Sequence, residues 1–328
     1  MSFGASDRQT LPAGFEVGHW TDTDAVTGCT AILAPPEGAV ASADVRGGGP
    51  GTRELDLLNP IANARAIHAV LLTGRSVFGL AAADGVVRWL EEHERGYETP
   101  GGIVPLVPGA VVYDLVTGDP AVRPGPREGY EACGAAVAEP ELGSVGAGTG
   151  AAVGKLLGRE LSVKSGIGIA SQEVPQGARF AALAVVNAFG DVLAEDGSVL
   201  AGARDEDGAF VRTTKMLREQ LFDPPSYRRG EPVENTTLVC ILTDAELDKV
   251  GCGIVAKMAQ SGMARAVDPV HSAVDGDVVF ALSSGRAQHV DPLIGGVVAA
   301  ALTAEAIRDA CRRAQSLGGI PALPDLVA

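Results

Sequence analysis

Three segments of the chain, Phe180–Val186, Leu238–Leu242 and Val278–Leu282, are apolar at every position. A strand with one wet face alternates polar and apolar residues, so unbroken runs of this kind call for cover on both faces. "GAVVYDL", from Gly109, reads the same way. Helices are expected to supply cover. Apolar residues recur at three- and four-residue spacing in "ARAIHAVLL" (64–72) and "VFGLAAADGVVRWLEEHER" (77–95), which predicts two helices. A third is predicted over "DAELDKVGCGIVAKMAQSGMARAV", with Asp244 as N-cap, and a long one over "HVDPLIGGVVAAALTAEAIRDACRRAQSL" at the C-terminal end. "GCTAILAP" and "GAVASADVR" read as an early strand pair split by Pro35–Pro36. Gly and Pro, 43 and 20 in number, punctuate the chain without marking a linker, so a single domain over 1–328 is expected. Strands and helices in separate groups give an α+β sandwich.

The 41 acidic and 26 basic residues leave a net charge of −15, which opposes association with nucleic acid or an anionic membrane surface. Five scattered cysteines without a C-x-x-C pair read as reduced, buried thiols rather than zinc ligands or disulfides. Asp7 and Arg8 interrupt the N-terminal stretch where a secretory signal needs continuous apolarity, and no apolar run is long enough for a bilayer. A soluble, cytoplasmic protein without metal or cofactor is expected.

Several motifs fail on inspection. "GSVGAGTGAAVGKLLG" imitates a nucleotide phosphate loop, but Thr149 and Leu156 stand where that loop requires Gly and Ser or Thr. It reads as a Gly/Ala turn ahead of a helix, with Lys155 either solvated or held in small apolar surroundings. His271 is a structural or exposed residue, or else a base or a ligand, and Asp275-Gly276-Asp277 is a turn or a carboxylate pair. The segment 200–235 is polar and turn-rich and reads as an exposed loop. It runs into "ENTTLVCILTDA", where Thr236 is either an ordinary strand-starting residue or a new N-terminus made by cleavage after Asn235.

Taken in order, "RGGGPGTRELDLL", "TGRSVFGLAAADGV", "GAVVYDL", "VGAGTGAAVGK", "LAVVNAFGDV", "ENTTLVCILTDA" and "HSAVDGDVVFAL" resemble the L-aminopeptidase/D-esterase family, within it most nearly the nylon-oligomer hydrolases. The resemblance implies a four-layer αββα sandwich of the N-terminal-nucleophile kind, shared with ornithine acetyltransferases. It implies self-cleavage into 1–235 and 236–328, with Thr236 as nucleophile and Lys155, Asn187, Asp275 and Asp277 as its catalytic partners. Tyr113 and Phe78 fall at positions near the substrate cleft. Phe78 replaces a common tyrosine and Ala188 a proline, which bears on substrate preference. The implied substrates are short amide oligomers or peptides, and a homo-oligomer, often a tetramer, is implied as well. An aminopeptidase for D- or β-amino acids, an acyl transferase and a non-catalytic scaffold are the alternatives.

The residue types suit amide hydrolysis. A threonine hydroxyl needs a base, and a freed α-amine with a pKa of about 7.7–8.0 supplies one on the same residue. The Asn187 amide is a neutral donor for an oxyanion, Lys155 adds positive charge near the hydroxyl, and the two aspartates orient the amine and the lysine.

Overall fold

The computed structural model describes residues 9–219 and 235–326. The N-terminal stretch through Arg8 and the part of the expected loop from 220 to 234 lie outside the described residues. In chain order the strands are β1 (Glu16–Asp22), β2 (Thr27–Leu33), β3 (Val40–Val45), β4 (Thr52–Arg53), β5 (Ala69–Thr73), β6 (Tyr97–Thr99), β7 (Gly102–Val104), β8 (Gly109–Val111), β9 (Ala152–Val153) and β10 (Val163–Lys164). They continue with β11 (Ile167–Glu173), β12 (Arg179–Asn187), β13 (Asp191–Leu193), β14 (Val199–Ala201), β15 (Thr236–Thr243), β16 (Val267–Asp268) and β17 (Val278–Ser283). The helices are α1 (Ala82–Glu92), α2 (Pro126–Gly134), α3 (Thr213–Glu219), α4 (Lys249–Ala266), α5 (Pro292–Arg313) and α6 (Leu323–Leu326).

Two five-stranded sheets carry the architecture, one ordered β1-β2-β5-β8-β4 and the other β11-β12-β15-β17-β3. The unbroken apolar runs are explained by what lies on each side of the second sheet. Along β12, Ala181, Leu183 and Val185 join Ile32, Val70 and Leu72 of the first sheet in one core. Their neighbours Ala182, Ala184 and Val186 pack with Val255 and Ala259 of α4 and Ala299 and Ala306 of α5 in another. The two-residue period of a strand thus sends alternate side chains into two different apolar layers. A third core puts Ala31 and Leu71 of the first sheet against Val86 and Leu90 of α1 and Ala132 of α2. The result is the expected four layers, helices, sheet, sheet, helices.

Five local expectations change. Residues 200–219 of the expected exposed loop hold the end of β14 and helix α3, with Ala201, Ala203 and Thr213 buried. Ala64–Leu72 is not a helix: its second half is β5, buried at every position. The early strands do not pair; β2 sits between β1 and β5, while β3 is an edge of the other sheet beside β17. Helix α4 starts later than expected, capped by Asp248, whose carboxylate accepts from the Gly251 N–H at 2.7 Å. The Gly/Ala turn, Gly146–Gly148, leads into β9 rather than a helix. No helix among the described residues is long and apolar enough to cross a membrane.

Behind that turn Lys164 is fully buried. Its ammonium donates to the carbonyls of Gly148 (3.0 Å), Ala151 (2.9 Å) and Ser165, so each of its three N–H bonds has an acceptor. Burial, reinforced by the Arg159 charge, lowers its pKa to about 7.

Two outcomes follow from this packing. Leu183→Ala should cost about 2–5 kcal/mol in denaturant unfolding, while Val104→Ala on the exposed β6–β7 hairpin should stay within about 0.5 kcal/mol. For Lys164 the folded pKa of about 7 lies below the unfolded value of about 10.4, so the unfolded state binds more protons between the two. Wild-type stability should therefore gain a rising component from about pH 7 to about pH 10, and Lys164→Met should lack that slope in unfolding curves taken across the range.

Candidate active site

Strand register brings the first two site residues together. In the antiparallel β12–β15 pair Asn187 stands opposite Thr236. Both have the parity of Val185 and Leu238, so both point toward the space between the sheets, where the apolar layer gives way to polar residues. Thr236 is buried, and its hydroxyl donates to the carbonyl oxygen of Asn235 at 2.5 Å. The same oxygen accepts the Gly276 N–H at 2.7 Å. Two donors thus converge on the carbonyl that joins Asn235 to Thr236.

Asn187 is held from three sides. Its Nδ2 donates to the Tyr113 carbonyl at 3.0 Å, and its Oδ1 accepts from the Ala152 N–H at 3.2 Å and from Lys155 Nζ at 2.6 Å. Lys155 Nζ also donates to the Asn187 carbonyl at 2.9 Å. The lysine is placed by main-chain bonds from Gly154 and Lys155 to the carbonyls of Gly190 and Phe189. Lys155 is half-buried, and desolvation of its amine, aided by the Arg159 charge, holds its pKa well below the usual lysine range, with Asp275 and Asp114 pulling the other way.

The two aspartates occupy the loop that enters β17. Asp275 accepts from the Phe189 N–H at 3.2 Å and from the Ser272 hydroxyl. Burial and the nearby Asp277 push its pKa up. Asp277 accepts from the Thr237 N–H at 2.7 Å and from Nδ1 of His271 at 2.8 Å. The carboxylates therefore tie the strand after Thr236 to the end of β12 and to His271.

Tyr113 reaches the cluster through its carbonyl, and the loop after it is fastened by the fully buried Arg75. All five guanidinium N–H bonds go to carbonyls: Val122 (3.0 Å), Asp114 (2.7 Å), Thr117 (2.9 Å), Ala25 (2.5 Å) and Asp119 (2.9 Å). Phe78 stands apart from these bonds, on the exposed 3-10 turn Ser76–Ala81, with the Arg123 guanidinium 3.7 Å over its ring. The turn is tethered near Tyr113 by the Ser76 N–H on the Val112 carbonyl, 3.0 Å.

Sequence reasoning missed Gly276 as a donor, Ser272, and the purpose of the Gly47-Gly48-Gly49 run. Those glycines lie against the aspartate loop, with the Gly48 and Gly49 N–H groups on the carbonyls of Ser272 (3.1 Å) and Asp275 (2.9 Å). At Gly47, where φ is +89°, a Cβ would stand 2.3 Å from the Asp275 carbonyl oxygen. The triple glycine was the signal that a second backbone passes at contact distance.

Peptidase family S58 matches residues 12–322. An uncharacterized aminopeptidase of Mycobacterium leprae is 40% identical over 94% of this chain and 91% of its own length. A 6-aminohexanoate-oligomer endohydrolase of Kocuria sp. is 31% identical over 85% of this chain and 76% of its own. Among solved structures, the L-aminopeptidase D-Ala-esterase/amidase of Ochrobactrum anthropi, a variant of the Ntn-hydrolase fold, superposes with a TM-score of 0.71. That match covers 98% of this chain and 90% of the other at 20% identity, and so bears on the fold. With that fold and these relatives, the chain belongs to peptidase family S58 and is an amide hydrolase.

Proposed function

We propose that this amide hydrolase is made by its own cleavage after Asn235 and works through the freed Thr236, on short peptides and amide oligomers. The observation that carries the reading is the Asn235 carbonyl, bonded at once by the Thr236 hydroxyl at 2.5 Å and the Gly276 N–H at 2.7 Å. One donor is the attacking group and the other polarises the bond to be attacked. The names of the relatives, aminopeptidase and oligomer endohydrolase, support the substrate class.

In the uncut chain the Thr236 nitrogen is tied up in a peptide, so another base must take the hydroxyl proton. Lys155 suits this step: as a neutral amine it would spend its two N–H bonds on Asn187 and keep a lone pair. After cleavage the α-amine takes over, with Asp275 and Asp277 fixing the strand that presents it. Asn187 uses one amide N–H on Tyr113 and has a second for the oxyanion of turnover. Tyr113 and Phe78 are assigned to the substrate side. The two chains, 1–235 and 236–328, would remain one domain because β15 lies between β12 and β17.

Exposed apolar residues on α4 (Val250, Ile254) and α5 (Leu293, Ile294, Val297) support a homo-oligomer formed through the second helix layer. Five buried, unpaired cysteines fit a reducing, cytoplasmic setting.

Denaturing mass spectrometry after incubation at neutral pH should give two chains of about 24 and 9–10 kDa in place of one of 33.4 kDa, the smaller beginning at Thr236. Thr236→Ala should remain one chain and hydrolyse nothing; activity in that uncut variant would remove the mechanism. Asn187→Ala should fold and slow turnover by about 10²–10³-fold, and unchanged turnover would withdraw its oxyanion role. Leu293→Asp should lower the mass seen by sedimentation, whereas an unchanged mass would place any interface elsewhere.

A further inference from the structure

One peptide unit connects the side chain of Asn187 to a buried lysine that does not touch it. Ala152, whose N–H donates to Asn187 Oδ1 at 3.2 Å, shares that unit with the carbonyl of Ala151, and in a trans peptide the two groups point in opposite directions. On its own side the Ala151 carbonyl accepts from the Lys164 ammonium at 2.9 Å and from the Ser165 N–H at 3.1 Å. Strand pairing fixes the approach, because Lys164 of β10 lies opposite Ala152 of β9. The next residue holds the main chain of Asn187. The Ser165 hydroxyl donates to the Val186 carbonyl, half of the peptide unit that carries the Asn187 N–H.

Lys164 and Ser165 are fully buried, so neither meets a substrate. Burial and the Arg159 charge both work against an ammonium at this place. Lysine is therefore a poor choice for holding a turn and nothing more.

We propose that Lys164 is a positioning residue for amide hydrolysis, acting through the Ala151–Ala152 peptide to aim and polarise the Asn187 carboxamide. The inference rests on Asn187 being the oxyanion donor of turnover. Donation from a charged group to the Ala151 carbonyl draws electron density from the Ala152 nitrogen and makes its N–H a stronger donor. That N–H draws density in turn from Asn187 Oδ1, and the free Nδ2–H becomes a better donor to an oxyanion. No proton moves along this path; each bond strengthens the next. Lys155 donates to the same Oδ1 at 2.6 Å, so the oxygen is held by two donors with separate anchors. The oxyanion forms in the transition state and is absent from the bound substrate, which places the effect of Lys164 on kcat rather than on KM.

The test uses the self-processed protein with the p-nitroanilides of L-alanine, β-alanine and 6-aminohexanoic acid as probes. On whichever of them wild type turns over fastest, Lys164→Met should lower kcat about tenfold, the contribution of one hydrogen bond, and move KM less than about twofold. Added to Asn187→Ala, the same substitution should slow turnover no further, because its path ends at that side chain. An unchanged kcat, a change carried by KM, or losses that multiply in the double variant would overturn the inference, while a slow Asn187→Ala would leave the oxyanion reading standing. Asn187→Ala as fast as wild type would remove that reading and the inference with it. Should Lys164→Met not fold, lactate in place of Ala152 removes only the connecting N–H and keeps the lysine. The same loss of kcat is expected there, and an unaltered kcat would overturn the inference.

Discussion

The site depends on one strand pairing, β15 against β12 in a register that sets Thr236 opposite Asn187. A slip of one residue would turn Thr236 toward α4 and α5 and bring Thr237 to the space between the sheets. The register is enforced by the alternation that fills two cores at once, since Leu238, Cys240 and Leu242 belong to the layer between the sheets and Val239 and Ile241 to the layer under the helices. The apolar packing that makes the sandwich is thus also what aims the hydroxyl. Asp277 adds a polar lock by taking the Thr237 N–H on the neighbouring strand.

Cations crowd the interior around this pairing although the chain as a whole is strongly acidic. Arg75 and Lys164 are buried with carbonyls as their main partners, and Lys155 is bonded to Asn187. Carbonyl dipoles satisfy N–H bonds without supplying a full negative charge, so burial dominates and the lysines are pushed toward the neutral form. Asp114, beside Arg75, is raised by the same burial. An amine pushed toward its neutral form beside Asn187 is a direct result of choosing carbonyls over carboxylates as partners.

The parts of this arrangement legible in the sequence are those written in contiguous residues. The runs in β12, β15 and β17 reveal their two covered faces because every position is apolar, and Asn235-Thr236 and Asp275-Gly276-Asp277 stand at the ends of those runs. β5 was misread because Ile67, Val70 and Leu71 happen to keep helical spacing, and a strand buried on both faces has no alternation to contradict it. The bonding of Lys155 to Asn187 could not be seen, because Asn187 and Phe189 arrive from a stretch more distant in the chain. Arg75 likewise looks like any arginine at a turn until the loop from Asp114 to Val122 folds around it.

The central position of β15 also bears on how the molecule can be assembled. A chain severed before Thr236 has its smaller piece threaded through the middle of a sheet, hydrogen-bonded to β12 on one side and β17 on the other. While the chain is whole, β15 meets β12 as part of the same molecule; once severed, the two pieces would have to find each other by diffusion. Any such cut would therefore have to follow folding. A protein severed there would resist heat by how slowly it comes apart, because separated pieces would have no tether to bring them back.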